Sequence, residues 1–302
     1  MSKPAAIGRL VSTVIPAFNA ASFIARAVDS VLAQTYPNIE IIVVNDGSTD
    51  DTGALLSAYG HRIRVIEQEN AGLSAARNAG IRATRGDLVA FLDADDWWLP
   101  SKLERQVALL DANPRLGFCS TCARVVDGAG NDVNLWGCPN VDGDLLHTIF
   151  ARNAAVPGSG SGVVVRRALL DRVGLFDVEL RSLEDIDMWL RLAAVCDYGC
   201  IDEALTVIER RATRMSSDLE VMRDQALWVM RKNRKLLPPR DRGGFWRYAY
   251  AGVLADYAKW EYRAGRTLPS TLLLIRALAL SPMRRVRLVL GLLVAFVRRQ
   301  QV

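Results

Sequence analysis

The sequence predicts an α/β fold built on a parallel sheet, from three observations. Strand and helix signals alternate in β-α-β-α-β-α-β order through the first third of the chain. Residues 39–44 are apolar without alternation, as in a parallel strand that is covered on both faces. Half of the 302 residues are hydrophobic and 24% are charged, which fits a globular core and excludes disordered, collagen-like and coiled-coil chains.

The elements of this first part follow in order along the chain. Period-two and apolar runs predict strands at 11–15, 39–44, 63–67 and 88–92. Helical spacing predicts helices at 20–35, at 73–84, and from a cap at Ser48 or Thr49 to about Tyr59. A capping box of Ser101 and Glu104 predicts one more helix start.

The pattern is looser after Gly117. We predict strands at 117–126, 162–166 and 204–209, a short helix at 184–195, and an irregular segment rich in Gly, Asn, Asp and Pro at 127–144. Only helical patterns follow from about residue 216, including an aromatic-rich one at 245–263. The sequence thus predicts an α/β part followed by helices.

The charge changes sign along the chain. Residues 1–208 carry 18 Lys and Arg against 26 Asp and Glu, and residues 209–302 carry 20 against 7. The first region has a net charge of −8 and the second of +13, which indicates regions with different roles. The acidic region could hold a metal ion, and the basic one could meet an anionic surface.

The sequence predicts a cytoplasmic protein with reduced thiols, because it shows neither an export signal nor a membrane-spanning run. We find no export signal, and the longest apolar run, at 288–297, is too short to span about 30 Å of hydrocarbon. The pair Cys119 and Cys122 has no second pair at a matching spacing, since Cys196 and Cys200 are distant and spaced differently. We therefore expect buried or partly buried thiols and no zinc site.

Polar clusters follow the predicted strands, where ligands bind to open parallel sheets. The residue pair Asp93 and Asp95 places two carboxylates on one side of an extended chain, which suits Mg²⁺ or Mn²⁺; the alternative is a solvated acidic turn. Asp46 could accept hydrogen bonds from a nucleobase or ribose, or could serve as a turn or cap residue. Arg77 could contact a base or diphosphate, or could be a solvated helix cation.

Five motifs in this sequence resemble those of the family 2 glycosyltransferases, in the same order and spacing. They lie within about residues 10–215 and are VIPAFN at 14–19, VNDGSTD at 44–50, NAG at 70–72 with ARN at 76–78, FLDADD at 91–96 and EDIDMWLR at 184–191. The resemblance implies a GT-A (Rossmann-like) fold: a three-layer α/β sandwich with a mostly parallel mixed sheet, here followed by an α-helical C-terminal extension. It implies a glycosyltransferase domain at 1–215, with a nucleotide-binding half at about 1–98 and an acceptor half at about 99–215, and a basic helical region at 216–302.

The resemblance also assigns roles to residues, by position. A set of donor-binding residues would contact the nucleotide-sugar: Pro16, Ala17, Phe18, Asn19, Asp46, Asn70, Arg77, Asp93, Ala94 and Arg210. Asp95, assisted by Asp93, would hold the divalent cation, and Asp185 would be the general base. Asp185 could also be a carboxylate that stabilises a helix N-terminus, and the two roles are compatible.

The loop at 210–217 departs from the family pattern. A His that is common there is absent, and Ala212 and Thr213 occupy the region, so Arg210, Arg211 or Arg214 would contact the phosphate instead.

The function implied is inverting transfer of a sugar from a nucleotide-diphosphate sugar, a UDP-sugar by preference, to a hydroxyl of a glycan or lipid-linked saccharide in cell-surface polysaccharide synthesis. One alternative is a GT-A protein that binds nucleotide-sugar or glycan without turnover, against which the presence of Asp46, Asp95 and Asp185 argues. Another is a nucleotidyltransferase that makes nucleotide-sugars. That class has a basic, Gly-rich loop after the first strand, and residues 16–20 here have neither Gly nor a positive charge. No nucleic-acid partner is predicted.

The C-terminal region combines apolar runs with arginines. Residues 268–299 contain two apolar runs, separated at Pro282 and edged by Arg, a pattern typical of helices that lie in a membrane interface. A helical cap on the catalytic domain, or an interface with a protein partner, is the alternative. The membrane interpretation predicts a peripheral position on the cytoplasmic face.

Overall fold

The protein is described from a computed structural model, which describes residues 8–138, 141, 144–152, 158–210 and 218–282. In these residues one sheet contains the strands β1 (Val11–Ala17), β2 (Ile39–Asp46), β3 (Arg64–Gln68), β4 (Leu88–Phe91), β5 (Trp97–Trp98), β6 (Leu116–Val126), β7 (Asp132–Trp136), β8 (Val164–Arg166) and β9 (Asp197–Glu209). The helices are α1 (Ile24–Leu32), α2 (Thr52–Ser57), α3 (Leu73–Ala83), α4 (Lys102–Ala112), α5 (Leu145–Arg152), α6 (Arg167–Val173), α7 (Glu184–Ala193), α8 (Leu219–Asn233), α9 (Gly244–Arg263) and α10 (Thr267–Leu280).

The sheet is parallel in its first half and mixed in its second. Its order is β3-β2-β1-β4-β8-β6-β9-β5, with β7 paired to β6. The neighbours β3, β2, β1 and β4 are parallel, β8 is antiparallel to both β4 and β6, and β6 is parallel to β9. The predicted mixed α/β sheet is therefore present.

Strand β2 shows why its sequence is apolar on both faces. Ile41 and Val43 are buried in one core, which α1 shares, whereas Ile42 and Val44 are buried in another, with Ala76 of α3. Since consecutive strand residues face opposite sides, an unbroken apolar run supplies both cores. Helices thus cover both faces of the sheet here, in three layers.

The described residues form two compact units. The first takes its described residues from Met1–Gly143, Ala155–Glu179 and Val195–Ala212, and contains the sheet. The second takes them from Asp144–Ala154, Leu180–Ala194 and Thr213–Val302, and contains α5 and α7 to α10. The glycosyltransferase domain boundary at residue 215 stays a prediction, and the second unit includes two segments that precede that boundary.

One predicted helix cap is wrong, and the other is at the predicted residue but without its capping box. Helix α2 begins at Thr52 with Asp51 as its N-cap, so neither Ser48 nor Thr49 caps it. Ser101 is the N-cap residue of α4, but its side chain makes no capping hydrogen bond. Glu104 instead accepts a hydrogen bond from Thr35 Oγ1 at 2.6 Å, because a contact from another segment competes with the local capping box.

Four strands and α-helices were not predicted, and β9 begins well before its predicted start. Strands β5 and β7 and helices α5 and α6 lie in segments for which we expected no regular element, and β9 starts at Asp197 instead of residue 204. Strand β7 lies inside the segment expected to be irregular, and its five residues are all exposed. An exposed edge strand lacks the buried face that makes strands recognisable in a sequence.

The expectation that the cysteines carry free thiols is wrong for two of them. Cys138 and Cys200 form a disulfide in the first unit, whereas Cys119, Cys122 and Cys196 form none. The pairing joins the residues after β7 to β9, two segments that are 62 residues apart in sequence. No spacing rule predicts such a pair.

Helices α9 and α10 pack against each other in the second unit. Ser270 Oγ donates to Ala258 O at 2.7 Å, and Leu273 and Leu274 of α10 are buried. Among the described residues, no helix has both the length and the apolar character needed to cross a membrane. The predicted apolar run at 286–297 lies outside the described residues.

A buried lysine makes the stability of the first unit depend on pH. Lys102, at the first position of α4, is fully buried; its Nζ donates to Gln106 Oε1 at 2.7 Å and lies 3.9 Å from the centroid of the Trp98 ring. Burial lowers the pKa of Lys102 to about 7. An unfolded lysine has a pKa of about 10.4, so between these values the unfolded state binds more protons and stability rises with pH.

We expect the Lys102→Met variant to lose this dependence. One titrating group changes the free energy of unfolding by about 1 kcal/mol per pH unit, so the wild-type chain should gain about 2 kcal/mol relative to the variant between pH 7 and pH 9. Urea unfolding of both chains at pH 7, 8 and 9 measures the difference. If the free energy of unfolding changes with pH in the same way in both chains, Lys102 keeps an ordinary pKa in the folded chain.

Candidate functional site

The strand order creates a topological switch point in the first unit. Strand β1 pairs in parallel with β2 on one side and with β4 on the other. In open α/β sheets, ligands bind outside the carboxyl ends of the strands at such a point. We call the residues that follow these strand ends, 16–19, 46–50, 68–77 and 93–96, the switch-point site.

Asn19 joins the ends of β1 and β2. Its backbone N–H donates to Ser48 Oγ at 3.0 Å, and its side-chain Oδ1 accepts from the Thr49 N–H at 2.8 Å. Its φ of 47° lies in the left-handed region, which Asn tolerates better than most residues. Asn19 therefore fixes the first strand end to the second.

The other predicted donor-binding residues of β1 differ in exposure. Pro16 and Ala17 are buried as the last residues of the strand, whereas Phe18 is 50% exposed directly after it. An exposed aromatic ring at a strand end offers an apolar face to a planar ligand such as a base.

Asp46 stabilises the turn that follows β3 by accepting hydrogen bonds from it. It is 3% exposed, and its Oδ1 accepts from Gln68 Nε2 at 2.6 Å and from the Ala71 N–H at 2.9 Å. Its Oδ2 accepts from the Gly72 N–H at 2.9 Å. A carboxylate offers about four lone-pair positions, so these three bonds fix the side chain and leave room for about one more donor.

Gly47 allows the second and third strand ends to approach. It has a φ of +74°, and a Cβ at this position would lie 2.7 Å from the backbone N of Asn70. Both the backbone conformation and the close approach require glycine. Asn70, a predicted donor-binding residue, is exposed on this turn.

Arg77 and Asp93 join helix α3 to the end of β4. The Arg77 Nη2 and Asp93 Oδ1 atoms are 2.6 Å apart, with side-chain exposures of 4% and 34%. The guanidinium also lies 5.3 Å from the ring centroid of Phe176. The alternative that Arg77 is a solvated helix cation is therefore wrong, and a buried positive charge lies beside the partly exposed Asp93 carboxylate.

Sequence reasoning missed two residues that shape the turn at 93–96. Ser161 Oγ donates to the buried Asp96 Oδ2 at 2.6 Å and accepts from the Asp93 N–H at 3.1 Å. The Trp98 indole N–H donates to the Ser161 carbonyl at 2.7 Å. The neighbouring Gly162 packs against β6, where an added Cβ would lie 2.7 Å from Ser120 Oγ.

The donor atoms of this turn fit a divalent cation. Asp95 is partly exposed, its carbonyl lies 3.4 Å from Arg26 Nη2, and Ala94 before it is buried. The pair of Asp93 and Asp95 offers hard carboxylate oxygens where solvent reaches them. Mg²⁺ and Mn²⁺ prefer such ligands, and Mg²⁺ typically uses one or two carboxylates together with substrate phosphates.

Arg210 directly follows β9. Its side chain is exposed, and its backbone N–H donates to Val126 O at 2.7 Å. The rest of the loop at 210–217 lies outside the described residues. The predicted phosphate contacts of Arg210, Arg211 and Arg214 stay predictions.

Helix α7, in the second unit, carries two acidic residues in different environments. Asp187 is fully buried; its Oδ2 accepts from Arg191 Nε at 2.9 Å, and its Oδ1 accepts from Lys232 Nζ and Asn233 Nδ2, each at 2.8 Å. These contacts tie α7 to α8. Asp187 thus stabilises the packing of α7 against α8, and it is a poor candidate for proton transfer.

Asp185 lies in the first turn of α7 and is partly exposed. Its Oδ1 accepts from the Ile186 N–H at 2.7 Å, as expected of a carboxylate at a helix N-terminus. Leu183, which precedes the motif, has a φ of 60° and so adopts a left-handed conformation that costs a non-glycine residue about 1–3 kcal/mol. Such strain concentrates at functional sites, and here it sets the entry of the chain into the acidic turn.

Comparison with known sequences gives a consistent result. The model of the family "Glycosyl transferase family 2" matches residues 12–174, more than half of the chain. An uncharacterised glycosyltransferase of Rickettsia prowazekii is 33% identical over 203 residues, which cover 62% of this chain and 59% of that protein. An uncharacterised glycosyltransferase of Nostoc is 36% identical over 170 residues, which cover 54% and 52%. The match thus spans less than two thirds of the length of these relatives.

Solved structures share the fold. TarS of S. aureus (residues 1–349) has a TM-score of 0.65 and 19% identity, with coverage of 91% of this chain and 82% of that one. The mannosyltransferase PcManGT of Pyrobaculum calidifontis, solved with GDP-Man and Mn²⁺, has a TM-score of 0.63 and 19% identity, with coverage of 96% and 81%. TarS has also been solved with UDP-GlcNAc. The GT-A fold predicted from the sequence is confirmed by these likenesses.

Proposed function

The chain belongs to glycosyl transferase family 2, and from this premise we propose that it transfers a sugar, with inversion, from a nucleotide-diphosphate sugar to a hydroxyl group. One observation carries the proposal: side-chain contacts join the strand ends that surround the switch point. Asn19 links β1 to β2, Asp46 links β2 to the turn after β3, and Arg77 links α3 to β4. The neighbours solved with UDP-GlcNAc and GDP-Man support a donor of this class.

The donor is proposed to bind with its base near Phe18 and Asp46 and its diphosphate near Asp93 and Arg77. The exposed Phe18 ring offers a stacking surface, and Asp46 has room for about one more donor group. The buried Arg77 cation favours an anionic ligand in a region where solvent screens charge poorly. We propose a UDP-sugar as the preferred donor.

Charge on the leaving nucleoside diphosphate grows as its bond to the sugar breaks. Asp95, with Asp93 beside it, would hold a divalent cation, Mn²⁺ or Mg²⁺, which supplies Lewis-acid neutralisation of that charge when bound. The Arg77–Asp93 pair and the Ser161 hydrogen bonds keep the turn in one conformation before the donor arrives. Such preorganisation avoids a reorganisation cost during the reaction.

The acceptor hydroxyl must lose a proton as it attacks the anomeric carbon. We propose that Asp185 takes this proton, because it is the partly exposed carboxylate of its motif whereas Asp187 is fully buried. Inversion then requires a single displacement, without a covalent sugar–protein intermediate.

Product analysis distinguishes this proposal from its alternatives. The full-length chain is incubated with a panel of nucleotide-sugars and Mn²⁺, and in parallel with UTP and sugar 1-phosphates. Release of a nucleoside diphosphate supports the transferase, whereas release of pyrophosphate from UTP identifies a nucleotidyltransferase. A binding protein would show ligand-induced thermal stabilisation, about 2.7 kcal/mol at a ligand concentration 100 times the dissociation constant, and no turnover.

We further propose a glycan or lipid-linked saccharide in cell-surface polysaccharide synthesis as the acceptor, with peripheral membrane contact through the C-terminal region. On α10, Leu268, Leu272 and Ile275 are 70%, 53% and 57% exposed. Their spacing of four and three residues places them on one face of the helix, opposite the buried Leu273 and Leu274. An apolar face next to a basic region fits a helix in a membrane interface.

Replacing all three exposed residues, by Leu268→Ser, Leu272→Ser and Ile275→Ser, is expected to weaken binding to anionic liposomes at least tenfold, because the apolar face then loses most of the area it can bury. Cosedimentation of the full-length chain measures this, with Leu135→Ser on the exposed strand β7 as control. Equal pelleting of the triple variant and the wild type would contradict the proposal, and so would failure of both to pellet in low salt.

A further inference from the structure

Three cysteines from separate segments converge in the first unit. The Sγ atoms of Cys122 on β6, Cys138 after β7 and Cys200 on β9 all lie within 4.8 Å of one another. Cys122 and Cys138 are 4% and 3% exposed. Cys138 and Cys200 form the disulfide, and Cys122 Sγ lies 3.9 Å from Cys138 Sγ.

A carboxylate completes the group. Cys122 Sγ donates to Asp202 Oδ1 at 3.4 Å. Asp202 is two residues after Cys200 on β9, where the strand pairing is irregular between Ile201 and Ala204. Asp202 itself is exposed, which gives an ion a route from solvent.

Two distances at Cys122 match those of a tetrahedral zinc site. With zinc–sulfur bonds of about 2.3 Å, two sulfur ligands of one ion lie about 3.8 Å apart; with a zinc–oxygen bond of about 2.0 Å, sulfur and oxygen lie about 3.5 Å apart. The separations observed at Cys122 are 3.9 Å to Cys138 and 3.4 Å to Asp202. The sulfurs also form a compact triangle, whereas thiol–disulfide exchange needs the attacking sulfur in line with the bond it breaks.

We propose that the reduced chain binds one zinc ion through Cys122, Cys138, Cys200 and Asp202, and that the disulfide and the zinc site are alternative states of the same residues. A dithiol reductant gives two electrons and two protons to the Cys138–Cys200 disulfide and becomes a disulfide itself. Zinc then displaces the three thiol protons and bonds to three thiolates. Disulfides do not persist in a reducing compartment. There, zinc would connect Cys138, which lies after β7, to strands β6 and β9.

This site is separate from the switch-point site and does not depend on the proposed transferase activity. Its residues follow or lie on β6, β7 and β9, whereas the switch-point site lies at the ends of β1 to β4. Transferase activity can therefore fail in a test while zinc binding holds, and the reverse.

Metal analysis of the full-length chain tests the site. Reduced wild-type protein, desalted after exposure to Zn²⁺, is expected to retain about one zinc per chain and to give the intense visible spectrum of a tetrahedral thiolate complex with Co²⁺. The oxidised chain is expected to retain none. Cys122→Ser should lower zinc affinity at least about 100-fold and Asp202→Asn about 10-fold, since even outer-shell partners contribute about 10- to 100-fold. Cys196→Ser, a cysteine outside the cluster, should bind zinc as the wild type does.

Alkylation of the reduced wild type removes any dependence on variants that fail to fold. Mass spectrometry should show zinc-dependent protection of Cys122, Cys138 and Cys200, and no zinc-dependent change at Cys119 or Cys196. The proposal is overturned if the reduced chain retains no zinc, if Cys122→Ser binds zinc as tightly as Cys196→Ser, or if zinc protects none of the three cysteines.

Discussion

The Asp95→Ala variant is expected to lose sugar transfer by on the order of 10³-fold or more, and to lose the part of UDP affinity that depends on Mn²⁺. The reason is that Asp95 follows a buried strand at the switch point and is the partly exposed carboxylate beside the Arg77–Asp93 pair. Without the Asp95 carboxylate, Arg77 would have to stabilise the charge that develops on the leaving diphosphate. Calorimetric titration with UDP, with and without Mn²⁺, and a nucleoside diphosphate release assay measure both effects.

The control for Asp95→Ala is Asp171→Ala, which removes an exposed carboxylate from helix α6. This control should keep wild-type affinity and turnover. The assignment of Asp95 fails if its variant shows the same Mn²⁺ dependence of UDP binding as the wild type, or if wild-type activity is unchanged in EDTA.

The Asp185→Asn variant is expected to bind UDP-sugar almost as the wild type does but to turn over on the order of 10²–10⁴-fold more slowly, because an amide cannot accept the acceptor proton. Turnover at saturating donor and acceptor, together with donor affinity by titration, separates loss of chemistry from loss of binding.

Asp187→Asn is the matched comparison on the same helix. Asp187 is buried between Arg191 and Lys232, and removing one partner of a buried ion pair typically costs about 3–5 kcal/mol. This variant should lower the free energy of unfolding more than Asp185→Asn does, because Asp187 is the fully buried one of the two. A normal turnover in Asp185→Asn, or a large loss of donor affinity without loss of turnover, rules out the general-base role.

The parallel half of the fold is predictable because local signals and tertiary burial agree there. The apolar run of β2 is buried on both faces, and the polar residues that end the strands meet at the switch point as expected. Helix α5 carried a readable signal that we did not use: the side chain of Asp144 accepts from the His147 N–H at 3.0 Å, as a cap does. Strands β5 and β7 had none, since one has two residues and the other is exposed throughout.

The parts of the site that were missed depend on contacts between distant segments. Ser161 lies 65 residues from Asp96, so no local pattern links them. Similarly, Cys119 and Cys122 suggest a pair in sequence, but residues three apart in a strand face opposite sides. Cys119 therefore packs beside Gln106 on one face of β6. Cys122, on the other face, contacts Cys138 and Asp202.

The central claim is that the chain transfers sugar from a nucleotide donor by a single inverting displacement. Proton NMR of the first-formed product tests it most directly, with an α-linked UDP-sugar as donor and either an acceptor glycan or water as the attacking group. The account predicts that the β-anomer forms first. Formation of the α-anomer, or failure to turn over any nucleotide-sugar of the panel, would contradict it.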